Sequence, residues 1–254
     1  MIDLLRAKAA RTRLSEVVYT ILNLLLPIAV LLLVRLDPPY LAFAVVVLSK
    51  WRILALRPRF WWVNIKSNLA DIMVGLSAVA LIYLAQGSFG LQVALTILYE
   101  VWLIVLKPRS GAHGILLQAG VAQLVGLVAL FNFSVLLPEA MVIASCWLIG
   151  YVTARHVVSN YEEPYIELIA VTWGLFLAEL AWVTYRWTNI YNLGLPVRIP
   201  QIALIMLVVG FCAARMYHMG KHGRLSKPML RGTALFGAVL IAVILLFSSW
   251  DVTV

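Results

Sequence analysis

Gly114-Ile-Leu-Leu-Gln-Ala-Gly-Val-Ala-Gln-Leu-Val-Gly-Leu-Val-Ala-Leu-Phe-Asn-Phe133 carries no ionisable side chain. A run of about 20 mainly apolar residues, wound as an α-helix, matches the roughly 30 Å hydrocarbon core of a bilayer. Comparable runs recur along the whole chain, and that recurrence decides the fold class. Of the 254 residues, 63% are hydrophobic and 12% are charged, against roughly 45–50% and about 25% in soluble domains. So few charges cannot cover a water-soluble globule of this length. A soluble enzyme, a nucleic-acid-binding domain and a disordered tail are excluded, and the expected class is all-α, a polytopic transmembrane helical bundle.

About nine segments fit the length rule: 16–35, 39–56, 68–86, 89–107, 114–133, 137–156, 164–186, 199–217 and 229–249. Together they form a single membrane domain, 16–249, behind a basic N-terminus, 1–15, expected on the cytoplasmic side. The breaks carry turn chemistry. Asp37-Pro38-Pro39 closes the first helix, Gly87-Ser88 and Pro108 separate later ones, and Pro138, Pro164 and Pro200 fall near helix starts, where a missing N–H costs nothing. Pro27 lies mid-helix and predicts a kink. The first apolar run ends without a small-residue cleavage site and reads as a retained helix. Cys146 and Cys212 both sit in apolar runs and read as buried small residues.

The second segment is the weakest, because its apolar part, Tyr40–Leu48, is short. Charge arbitrates. With nine crossings and the N-terminus inside, seventeen of the twenty lysines and arginines fall on the inner side, leaving Arg35, Arg186 and Arg198 outside. That bias predicts an N-in, C-out topology, and it suits a bacterial inner membrane. Residues 57–67, which include Arg57, Arg59, Trp61, Trp62 and Lys66, combine cations with aromatic rings. They read as an interfacial amphipathic segment in contact with lipid headgroups.

Intramembrane ionisable groups are the functional candidates, since a central charge costs about 2.5–3.5 kcal/mol on insertion scales. Glu16 and Glu139 fall in first turns, where the helix dipole favours them, and Asp71 is expected to act the same way. Glu100 lies seven residues before Lys107, about 10.5 Å along the helix. It needs a base such as Lys50 or Arg52, a wet cavity or a proton. Glu179 stands seven residues before Arg186 in the same way, which would suit an inverted repeat. Glu163 and Glu167 are four apart with Arg155 and His156 upstream, an arrangement suited to a proton or cation site at the inner rim. His218 and His222 are four apart and are the weak metal candidates; a solvated basic loop is the alternative there. Small residues four apart, such as Ala122/Gly126, Gly210/Ala214 and Thr233/Gly237, permit close helix packing.

No nucleophile elbow, zinc-protease motif or Walker loop is present, and no cofactor is indicated. The expected partners are the bilayer, anionic lipids on the cytoplasmic face, and a protein partner or second copy. Three functions remain open. The first is a small ion or solute carrier using the intramembrane carboxylates. The second is a non-catalytic membrane subunit or scaffold. The third is an intramembrane lipid-modifying enzyme, which lacks a visible nucleophile or metal site.

Overall fold

The computed structural model describes residues 2–36, 39–51, 57–109, 111–161, 163–187, 190–191 and 194–247, with only the backbone for 2–17 and 19. The chain is nearly all helical. Its helices are α1 (Ile2–Arg35), α2 (Tyr40–Leu48), α3 (Trp61–Leu84), α4 (Phe89–Val101), α5 (Ala112–Phe133), α6 (Glu139–Val158), α7 (Ile166–Thr184), α8 (Gln201–Lys221) and α9 (Lys227–Leu246). Two short strands, β1 (Ile190–Tyr191) and β2 (Ile199–Pro200), pair antiparallel, Ile190 opposite Pro200, between α7 and α8. Gly194 takes φ 72° inside that return, a backbone region nearly closed to other residues.

Among the described residues, seven helical stretches are long and apolar enough to cross a membrane: Pro58–Gly87, Phe89–Leu106, Ala112–Leu136, Glu139–Val158, Ile166–Thr184, Gln201–Lys221 and Lys227–Leu246. The first two expected helices are the exceptions. The described apolar part of α1, Thr20–Arg35, is shorter than a full span. The expected 39–56 helix is only nine residues long, and Arg52 and the rest of 52–56 lie outside the described residues. Helicity also begins earlier than expected, because the backbone of 2–15 is continuous with α1.

The connection from α1 to α3 nevertheless passes between the two ends of the bundle. Gln86 at the C-terminal end of α3 donates to Val34 O (3.1 Å), and Arg35 donates to Gln92 at the start of α4 (3.3 Å). At the opposite end, Lys50 reaches Asp71, near the start of the buried part of α3. Nine helical residues rise about 13.5 Å, and the long lysine side chain covers much of the remaining distance. The charges sort between these ends: Arg35, Arg186 and Arg198 stand at one, and Lys50, Lys66, Lys107, Arg155 and Lys221 at the other.

Residues 57–67 do not form a separate segment. Pro58–Phe60 make a 3-10 turn that runs directly into α3, so this helix starts at Trp61 rather than 68. Helix α4 ends in a π turn, Trp102–Leu106, closed by Lys107 N donating to Trp102 O at 2.8 Å. Helix α8 continues through Gly220 to Lys221, so Met216–Lys221 is helix and not the basic loop expected there.

The core divides into two parts. One gathers Val30, Val34, Val46, Val79, Ile82 and Trp102 from α1–α4 and the π turn. The other gathers Leu127, Val142, Cys146, Leu177 and Met206 from α5–α8. Helices α3 and α5 pack on each other and join them. Helix α9 packs mainly on α8, and only 11% of its apolar stretch is buried, against 61% for α5.

The tightest junction is α6 against α7. A Cβ on Gly150 would stand 2.9 Å from Gly174 Cα, and one on Gly174 would stand 2.7 Å from Trp147 O. The second obstacle is backbone and cannot rotate away. Gly174→Ala is therefore expected to lower stability by about 1–3 kcal/mol through overpacking. Thermal unfolding in detergent checks this, with Gly232→Ala as control, since nothing lies within 4 Å of a Cβ there.

Candidate functional site

Asp71 is buried, and its carboxylate is the hub of the basic end. Oδ2 accepts from Lys50 Nζ at 2.5 Å and from Lys107 Nζ at 2.8 Å, while Oδ1 accepts from Trp102 Nε1 at 3.1 Å. The expected capping role does not hold. Helix α3 begins at Trp61, so Asp71 lies almost three turns inside it, where its N–H neighbours already have intrahelical partners. The expected pairing of Lys50 with Glu100 is corrected too, since Lys50 binds Asp71.

The π turn makes this convergence possible. In an α-helix, residues five apart point about 140° away from each other. The wider turn brings Lys107 back nearly over Trp102, so both reach one carboxylate. The exposed carbonyls at this terminus are taken by Gln118, whose Nε2 donates to Leu106 O (2.6 Å) and Arg109 O (2.8 Å). Gln118 Oε1 in turn meets His156 Nε2 at 2.8 Å. Beside the cluster, the Tyr99 side chain is 2% exposed and its hydroxyl has no hydrogen-bond partner. Gly75, one turn beyond Asp71, gives the ring room: a Cβ there would stand 3.0 Å from Tyr99 Oη and 2.7 Å from Val46 Cγ1.

Glu163 and Glu167 do not share a helical face, because α7 starts only at Ile166. They anchor different helices. Glu163 pairs with Lys221 and accepts from Tyr217 at 2.6 Å, tying the α6–α7 connection to α8. Glu167 accepts from Lys66 (2.6 Å) and Arg155 Nε (3.3 Å) on Oε1, and from Tyr151 on Oε2 (2.6 Å). Arg155 Nη1 also donates to Lys66 O at 2.9 Å. His156 thus belongs with Gln118, and only Arg155 joins a carboxylate.

The His218 and His222 rings lie 4.5 Å apart, but His218 Nδ1 is engaged by the Tyr161 hydroxyl at 2.6 Å. No group of three metal-ligating side chains occurs among the described residues. Glu100 is half-buried and Glu179 exposed, and neither has a hydrogen bond or ion pair among the described residues. Their helices lie apart, α4 packing on α1 and α3, α7 chiefly on α6. Lys107 and Arg186 instead hold Asp71 and, at 3.5 Å, Glu139. Arg57, Arg59, Trp61 and Trp62 are all exposed, with Arg59 over the Phe60 ring at 4.6 Å and Lys66 over Trp62 at 5.3 Å.

No family model, curated protein or solved structure matches this chain.

Two outcomes are expected from this geometry. Asp71→Asn removes the buried carboxylate that Lys50 and Lys107 share, and unfolding stability should fall by about 3–5 kcal/mol. Denaturant titration measures it, and Asp71→Asn combined with Lys107→Met should recover part of the loss. Hydrogen bonds from Lys221 and Tyr217 hold the Glu163 carboxyl below its ordinary value of 4.5. A depressed carboxylate stabilises the fold above that value and loses its contribution as pH falls through the lower folded one. Unfolding curves from pH 6 to pH 3 should steepen in the native chain and flatten in Glu163→Gln.

Proposed function

We propose that the chain is a non-catalytic membrane subunit, a helical scaffold that docks a partner helix on α7 and turns its basic end toward anionic lipid. The observation that carries this is Glu179. Leu168, Thr172, Leu175, Phe176, Glu179, Trp182 and Val183 are all exposed and recur at three- and four-residue spacing, one continuous outward stripe. A carboxylate facing hydrocarbon costs about 2.5–3.5 kcal/mol on insertion scales. A donor on a neighbouring helix, from another polypeptide or a second copy, would remove that cost. The interior supports the same reading. Its buried glutamines are taken up in bonds between elements, as where Gln123 donates to Met206 O at 2.8 Å and Gln92 to Ile82 O at 3.1 Å.

In this proposal the basic end is cytoplasmic, the membrane is a bacterial inner membrane, and the chain crosses it nine times, N-in and C-out. Helix α2 supplies the helical part of a broken second crossing. The exposed rings of Trp61 and Trp62 fit the headgroup zone on that side.

A carrier is the second reading. The Tyr99 hydroxyl beside Asp71 and Glu100, neither with a partner among the described residues, favour it, because a moving proton or ion needs groups not already committed. Native mass spectrometry of the gently extracted protein separates the two. The subunit reading expects a stoichiometric second polypeptide or a homo-oligomer, lost at least tenfold in Glu179→Leu with the melting temperature unchanged. A lone chain whose reconstituted flux stops in Glu100→Gln would transfer the assignment to the carrier.

A further inference from the structure

At the basic end, Arg155, Pro164, Tyr165, Ile166, Glu167 and Leu168 line an open cleft of about 440 Å³, within the range of small-molecule sites, about 300–1,000 Å³. Lys66 closes one side through its bond to Glu167, and the exposed Trp62 ring lies against its ammonium. We infer that this cleft binds the headgroup of an anionic phospholipid from the surrounding leaflet, with Arg155 and Lys66 on the phosphodiester and Glu167 on a headgroup hydroxyl.

Charge supports an anion. Two cations meet one carboxylate, so the cluster keeps one net positive charge. Donor geometry supports a phosphate. Arg155 uses Nε on Glu167 and Nη1 on Lys66 O, and the guanidinium also lies within hydrogen-bonding reach of Tyr151. A guanidinium held in place at the edge of a cleft is a preorganised phosphate ligand. Glu167 Oε2 accepts only from Tyr151, leaving a lone pair for a glycerol hydroxyl, which a choline headgroup cannot supply.

Depth and surroundings support a lipid. The cleft opens beside exposed Tyr165 and Trp62, 67% and 65% accessible, at the end where aromatic rings meet cations. Toward the membrane interior the surface turns apolar. Leu168 of α7 is 65% exposed, and Leu148, two turns before Arg155 on the same face of α6, is 48% exposed. An acyl chain would lie on this surface with its headgroup in the cleft.

The inference rests on the basic end facing an anionic leaflet, not on the partner helix at Glu179, which lies toward the other end of α7. Detergent-purified full-length protein would be titrated with dioleoyl phosphatidylglycerol and, separately, dioleoyl phosphatidylcholine, and read by native mass spectrometry. One phosphatidylglycerol per chain is expected, held about tenfold more tightly than phosphatidylcholine. Arg155→Lys keeps the charge but loses the fork, and should weaken binding about tenfold. Lys66→Gln should do the same and serves if Arg155→Lys does not fold. Arg224→Gln, a basic residue of the α8–α9 connection, should change affinity less than twofold. Equal affinity for the two lipids, unchanged affinity in both cleft variants, or equal losses in all three would overturn the site. A lone chain with phosphatidylglycerol affinity intact, or a partner retained in Glu179→Leu, would strike only the subunit reading.

Discussion

A carboxylate buried between two lysines and an indole holds the first half of this bundle together. Asp71 alone would be expensive to place away from water. With Lys50, Lys107 and Trp102 around it, both oxygens are occupied, and three chain segments are fixed to one point. The most dependent is α2. Nine residues cannot bury enough surface to hold a position unaided, since short helices are marginal without tertiary contacts. Ala42 and Val46 pack inward and Lys50 anchors its end, so register comes from the ion pair and packing from the apolar face.

The buried glutamines follow one rule: each side chain binds the backbone of another element, whereas buried Thr96 and Thr153 bond carbonyls of their own helices. Gln118 closes the π-turn carbonyls, Gln123 reaches Met206 O, and Gln201 reaches Ile244 O at 3.1 Å. Gly210 is part of the same device, because a Cβ there would stand 2.8 Å from Gln123 Oε1. Such bonds give interhelical specificity where lipid supplies no hydrophobic force between helices. They also consume the groups a conduit would need. Among the described residues, what stays uncommitted is the Tyr99 hydroxyl and Glu100 on α4, and Glu179 on the outward face of α7.

Much of this was legible in the residues. Apolar run length gives the long helices, and proline and glycine positions place most of their ends within a few residues. Among the described residues, lysine and arginine side chains gather at two ends of the bundle. What escaped was whatever depends on tertiary contact. Asp71 looks like a first-turn carboxylate only if α3 starts at 68. The amphipathic Trp61–Lys66 stretch has lower hydropathy than a span yet continues the same helix. The π turn has no glycine or proline to announce it, so the meeting of Trp102 with Lys107 could not be read from spacing. Glu163 and Glu167 are four apart, but Pro164 and Tyr165 delay the helix and send the two carboxylates to different partners.

The helices differ in how they are held. Helices α1 to α4 are locked at Asp71, at Gln86 and at Gln92. Helices α4, α7, α8 and α9 bury 28%, 28%, 22% and 11% of their apolar stretches. In a bilayer lipid satisfies an exposed leucine or phenylalanine as well as a neighbouring helix does, so low burial alone calls for no partner. It does not satisfy Glu179. Of the outward residues on α7, that carboxylate is the one that hydrocarbon cannot solvate in its charged form. On the proposed reading, the exposed stripe of α7 and the group that gains from a neighbouring helix coincide, and the well-packed α6–α7 junction at Gly150 and Gly174 supplies the rigid base from which such a contact would be made.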